Sequence, residues 1–217
     1  MQDLSSSQDL EAARQRLHDK GLLQPGDSLS CRLPGTGKFL LLTQPAPGDP
    51  VSLRELAKID LRASADEALH GLIYQARDDV GAMLLGRQHW GRALGTCGET
   101  LPGVFDEQLR HLGWRVAARS VPEGLAQARQ STRDGANAYV LPDRVQVLGM
   151  TLERLVFNAE LLEKCAKSYL LARASGERVF LIPWLVRWIA TSRLRKDQRR
   201  AADHHRRGLP APRSAGY

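Results

Sequence analysis

The chain has 217 residues, 42% apolar and 25% charged, the proportions of a soluble globular protein long enough to bury one full core. No apolar run approaches the ~20 residues needed to cross a bilayer. The first 16 residues carry acids and lack the apolar stretch of a secretory leader, so a cytoplasmic protein is expected. The net charge of +7 is local: nine Lys/Arg and two Asp/Glu lie from residue 187 onward, and residues 1–186 are neutral. The basic balance therefore belongs to the C-terminal segment and not to a nucleic-acid-binding face on the domain.

Residues 8–20 follow a helical pattern, with Leu10, Ala13 and Leu17 on one side, and Gly21 and Pro25-Gly26 end it. Residues 28–33 alternate as a strand, the sequence PGTGK turns the chain, and residues 39–43 form a second strand, making a hairpin. Residues 44–49 are a loop, and residues 53–61 are ambiguous, with a short strand at the end. A helix is predicted over 66–77, a buried strand over 80–85 and a short helix over 89–94. A loop over 98–103, a helix over 105–112, a strand over 114–120 and a helix over 124–133 follow. Residues 138–148 hold a strand pair around Pro142-Asp143, and 151–172 is the longest amphipathic helix, stopped by Ala174-Ser175-Gly176. Strands alternate with helices, so a single-domain α/β fold with a mixed sheet is expected over residues 1–192. The first part of the C-terminal region, with Trp184, Trp188, Ile189 and Leu194, is expected to be a helix that docks on the body or on a neighbouring subunit. The basic tail over 193–217 is expected to be a solvated extension.

Motifs that carry chemistry are few. The glycines of PGTGK do not make a phosphate loop: Phe39 replaces the Ser/Thr, and a strand follows where a helix is required. Cys31, Cys97 and Cys165 are widely spaced with no CxxC pair, as expected of buried thiols. His18 and His111 lie on surface-like helix faces, and His204-His205 lies in the basic tail.

Three strings together point further. LSCRLPGTGKFLLLT is similar to the first hairpin of the class II aldolase/adducin family. LHGLIYQARDDVGAMLL resembles its H..IY..R.DV.A signature, and GANAYVLPDRVQVLGMTLERLVFNAELLEKCAKSYLLA resembles its strand, metal-binding turn and long helix. The resemblance spans roughly residues 8–173 and implies that family's fold.

In active members, two histidines after the apolar strand and a third from a later turn hold a zinc-like metal, which acts as a Lewis acid on an enediolate or carbonyl oxygen. The resemblance places Leu85, Arg87 and Asp143 at these ligand positions, and Asp66, four residues before His70, at the acid/base position. Leucine cannot ligate, and arginine repels a divalent cation. No metal is therefore expected, unless zinc or another divalent ion sits in a site rebuilt from Asp66, His70, His89 and Asp143.

The phosphate-handling parts differ too. Asp27 and Ser28 stand where the family has Gly-Asn, and an acid there opposes a phosphorylated substrate. Thr43 opens the degraded turn after the second strand, and Ser64 and Ala65 replace a serine pair. The candidate catalytic residues are thus Asp66 and His70, and the candidate substrate-binding residues are Ser28, Thr43, Ser64, Arg87 and His89. Arg87 and Asp143 at opposed ligand positions are expected to form an ion pair where the metal sat, with Asp66 able to join.

The first functional expectation is a divergent protein that binds a small carbonyl or acidic metabolite, or a partner, without aldol chemistry. Adducin shows that the family includes non-enzymatic members. The alternatives are a lyase or epimerase with a rebuilt site, and an interaction or nucleic-acid-binding protein acting through the basic tail. The resemblance also implies a homo-oligomer, tetramers being common in the family.

Overall fold

The structure, a computed structural model, describes residues 2–43, 52–55, 64–176 and 178–212. The loop expected over 44–49 lies outside them. In chain order the elements are α1 (Gln2–Asp19), β1 (Ser28–Leu33), β2 (Lys38–Leu42), β3 (Ser52–Glu55), α2 (Ala65–Ala76) and β4 (Ala82–Gly86). There follow α3 (His89–Thr96), α4 (Asp106–His111), α5 (Leu125–Ser131), β5 (Ala138–Val140), β6 (Val145–Gly149), α6 (Leu152–Ala174) and α7 (Trp184–Arg206).

The six strands form one sheet in the order β3-β2-β1-β4-β6-β5. All five ladders are antiparallel, and the mixed element is an isolated parallel bridge between Ala118 and Val140. The strand expected over 114–120 is reduced to this bridge and one from Val116 to Leu101. PGTGK is the turn of the first hairpin, and Thr36 stabilises it by donating to the Leu33 carbonyl at 3.0 Å and accepting from the Lys38 amide at 3.1 Å.

The period-2 alternation of side chains explains why the strands read as continuous apolar runs. Leu40, Leu42, Ala82, Leu84 and Val147 face one way, into a core completed by α1 and α6. Phe39, Leu41, Met83, Leu85 and Leu148 face the other way, into a core completed by α2 and α5. Buried polar residues on the second face are thus the ones placed to build a site. Of the cysteines, Cys31 and Cys165 are buried as expected, whereas Cys97 is exposed.

The C-terminal segment departs from its reading. The boundary expected at 192/193 falls inside α7, a continuous helix of 23 residues. Leu194, Gln198, Ala201 and Ala202 are buried against the body. Gln198 donates to the Gly135 carbonyl at 2.8 Å and to Asn137 Oδ1 at 3.1 Å, and Arg110 pairs with Asp197 at 2.6 Å. The composition signalled solvation because the basic residues occupy the outer face, while a stripe with spacing 4, 3 and 4 (Leu194, Gln198, Ala201, His205) meets the domain. His111 is likewise buried and not on the surface, with its Nδ1 2.8 Å from the Arg154 guanidinium and its ring edge-on to Phe157.

Leu194→Ala is expected to cost about 2–4 kcal/mol through the cavity it leaves, seen as a lower urea midpoint. An unchanged midpoint would contradict docking of α7.

Candidate functional site

The candidate site lies where the start of β1 meets the ends of β4 and of the β5–β6 turn. The register sets Ser28 opposite Leu85, and Leu85 opposite Gln146. α2 crosses this end of the sheet with its N-terminus over Ser28, and Ser64 caps it by accepting the Glu67 amide at 3.2 Å.

Arg144 holds the centre. Its Nη1 donates to both oxygens of Asp66, at 2.6 and 2.7 Å. Its Nη2 donates to Asp143 Oδ2 at 2.8 Å, and Nε lies 3.1 Å from each Asp143 oxygen. The guanidinium thus grips one carboxylate side-on and reaches a second through its far nitrogen. The hydrogen bond to Arg144 holds the Asp143 carboxyl below its ordinary range, and the same bond raises the Arg144 pKa.

Arg87 does not pair with Asp143, contrary to expectation. Its Nη1 donates to Asp27 Oδ1 at 3.3 Å, and its backbone amide donates to the same oxygen at 3.1 Å. Asp143 is instead taken by its own neighbour, Arg144. The Pro25-Gly26 turn makes the Arg87–Asp27 contact possible. Gly26 has φ +83, and a Cβ there would lie 2.9 Å from Arg87 Nη1. Asp27 is almost fully buried and also accepts the Gln24 amide at 2.8 Å; burial raises its pKa, while these hydrogen bonds and the Arg87 charge oppose the rise.

Behind the arginines runs a buried chain of hydroxyls and one imidazole. Tyr74 OH lies 2.7 Å from Ser30 Oγ, Ser30 Oγ 2.7 Å from His70 Nδ1, His70 Nε2 2.9 Å from Ser28 Oγ, and Ser28 Oγ 3.3 Å from Asp66 Oδ2. A carboxylate can only accept, so Ser28 donates to Asp66. It follows that His70 Nε2–H donates to Ser28, Ser30 donates to His70 Nδ1, and Tyr74 donates to Ser30. Every proton points toward Asp66. Burial, reinforced by the Arg144 charge, pushes the His70 pKa down to about 3, so the ring is neutral and both its nitrogens are used.

The structure brings Asp66, His70 and Ser28 together. Leu85 is fully buried in the core. Thr43 is exposed just beyond β2, and Ser64 serves as the α2 cap. His89 is the first residue of α3 and packs edge-on against Trp90, with ring centroids 5.0 Å apart. Arg144 and the pairing role of Asp27 are absent from the sequence reading. The signal for Arg144 was the Asp-Arg pair in the turn, next to the third ligand position.

The residues do not fit the metal that the resemblance implies. Leu85 has no donor atom, Arg87 is a cation, and Asp143 is occupied by Arg144. Among the described residues no group of three or more His, Cys, Asp or Glu is placed to hold a metal ion. Two clefts, of about 440 and 370 Å³, lie elsewhere. The larger opens at the opposite strand ends, beside Cys31, Gly81 and Met150. The buried polar side chains converge instead on Asp66 and, through it, on Arg144.

The fold is that of the class II aldolases. An L-fuculose 1-phosphate aldolase superposes with a TM-score of 0.74 at 19% identity, over 87% of this chain and 95% of that one. A putative aldolase/epimerase/decarboxylase, YgbL from Klebsiella pneumoniae, gives 0.70 at 16% identity, over 88% of this chain and 99% of that one. L-fuculose-1-phosphate aldolase from Thermus thermophilus gives 0.62 at 20% identity, over 77% of this chain and 95% of that one. No protein-family profile and no curated protein matches the sequence.

The geometry of His70 makes a pH prediction. The folded protein keeps it neutral down to about pH 3, while an unfolded imidazole protonates near 6.5. Between these values the unfolded chain binds the extra proton. The contribution of His70 to stability is therefore complete above pH 6.5 and is lost as pH falls toward 3. Against His70→Asn, the wild type is expected to lose stability faster on acidification below about pH 6.5, by at most about 1.4 kcal/mol per pH unit, in urea titrations. Parallel pH profiles would contradict a neutral, buried His70.

Proposed function

We propose that this protein is a divergent member of the aldolase fold that binds a small carboxylate or carbonyl compound without metal-dependent aldol cleavage. One observation carries the reading: a guanidinium from Arg144 joins Asp66 and Asp143, the acid/base and third ligand positions implied by the resemblance. Asp66 has both oxygens engaged, and His70 has no free nitrogen. In this reading both position their neighbours and neither moves a proton on a ligand.

Arg87 is the ligand-binding group. Its side chain is 31% exposed, and among the described residues its one hydrogen bond to a side chain from the guanidinium is the long bond to Asp27. A ligand carboxylate can add a charge-assisted bond on the open side. The buried Asp27 beside it disfavours a dianionic phosphate relative to a single carboxylate. Calorimetric titration with glycolate and with 2-phosphoglycolate tests this. Glycolate is expected to bind the more tightly, and Arg87→Gln to weaken it about tenfold, the worth of one charged hydrogen bond. Equal glycolate affinity in the variant would contradict the assignment.

We further propose self-association through the start of α7. Phe180, Leu181, Trp184, Leu185, Val186, Trp188 and Ile189 are all exposed there. The three aromatics present roughly 400 Å², and with the aliphatics the patch approaches the ~800 Å² that each partner contributes to a standard interface. Light scattering should give a mass above 24.0 kDa for the wild type and a monomer for Trp184→Glu/Trp188→Glu. A monomeric wild type would contradict it.

A further inference from the structure

Away from the Arg144 cluster, the cleft of about 370 Å³ lies between α7 and two turns of the body, residues 77–79 and 133–135. Helical spacing puts Arg195, Arg199, Ala202 and Arg206 on one stripe of α7, and all four line it. The small Ala202 leaves room between Arg199 and Arg206. Both walls are fixed: Gln198 bonds the Gly135 carbonyl at 2.8 Å, and His205 Nδ1 bonds the Asp78 carbonyl at 2.8 Å.

Five arginines and three aspartates line the cleft, which leaves two positive charges in excess. The aspartates are already committed. Asp79 takes a two-pronged pair from Arg77, with both bonds at 2.7 Å. Asp78 pairs with Arg206 at 3.1 Å, and Asp134 accepts from Tyr139 OH at 2.6 Å and from the Ala136 amide at 3.1 Å. Arg133, Arg195 and Arg199 have no ion-pair partner among the described residues, although they share one cleft. Three guanidiniums that line one cleft and have no ion pair among the described residues repel one another, and an anion of several charges relieves this. The planar fork of each matches a phosphate oxygen pair, and the volume lies in the range of small-molecule sites.

We infer that this cleft binds a chain of two or three phosphates. The same chemistry belongs to a free nucleotide or inorganic polyphosphate and to a nucleic-acid backbone.

The test uses the full chain and inorganic tripolyphosphate, titrated calorimetrically at about 50 and 200 mM salt. Saturable binding is expected that weakens with salt. Arg195→Gln/Arg199→Gln should lower the affinity about tenfold or more, while Arg92→Gln on α3 leaves it unchanged. The substituted positions are exposed, and equal thermal melting of the variants confirms the fold. A labelled single-stranded oligonucleotide is titrated in parallel. Binding with the same sensitivity to the double variant assigns the site to a nucleic-acid backbone. Tripolyphosphate binding alone assigns it to a free anion. Absence of saturable tripolyphosphate binding at low salt, or equal affinity in the double variant, overturns the inference.

Discussion

One guanidinium organises the end of the sheet where the site is built. Arg144 is bound by Asp66 from α2 and by Asp143 from its own turn, so it ties helix to hairpin. Without it two carboxylates would face each other near a buried histidine. Arg144 and Asp66 are partly exposed and Asp143 is exposed, so water screens part of the charge left when one partner is removed. Arg144 also orders what lies behind it. By fixing Asp66 as an acceptor, it sets the direction of every hydrogen bond back through Ser28, His70 and Ser30 to Tyr74. The neutral state of His70 follows from its burial, reinforced by the Arg144 charge.

The sheet supplies the frame for this and divides the molecule into two cores. Its two faces are closed by separate cores, while strand ends, turns and the outer face of α7 are open among the described residues. At one end the buried polar residues converge on Arg144 and Arg87. α7 closes the domain with one stripe, presents arginines with another and carries an apolar patch at its start. A segment that composition marks as a solvated tail is therefore a structural element with two exposed chemistries.

Much of this was readable from the residues. β1 lies where the alternation of residues 28–33 put it, and α2, α3 and α6 agree within two residues, because capping residues and period-3.6 stripes mark their ends. Leu85 in β4 and Arg87 just after it stand at the strand end where the sequence placed them, one without a donor atom and the other a cation. The partners of the two arginines were not readable. An aspartate at an assumed ligand position has two cations within reach, Arg87 across the site and Arg144 beside it, and sequence spacing does not say which one backbone geometry favours. The Pro25-Gly26 turn, which brings Asp27 under Arg87, decided it. The ordering of α7 was hidden for a different reason. Hydropathy averages the whole segment, whereas burial depends on one narrow stripe containing Leu194 and Ala201.

The central claim is that an arginine stands where a related fold would hold a divalent ion. The most direct test is elemental mass spectrometry of the purified, tag-free protein, before and after dialysis against zinc, with calorimetry as a check on binding. The account predicts that zinc is not retained at a stoichiometric level and that zinc titration gives no saturable heat. Near-stoichiometric zinc that a chelator removes would contradict it, because Asp66 and Asp143 would then have to release Arg144 to serve the metal.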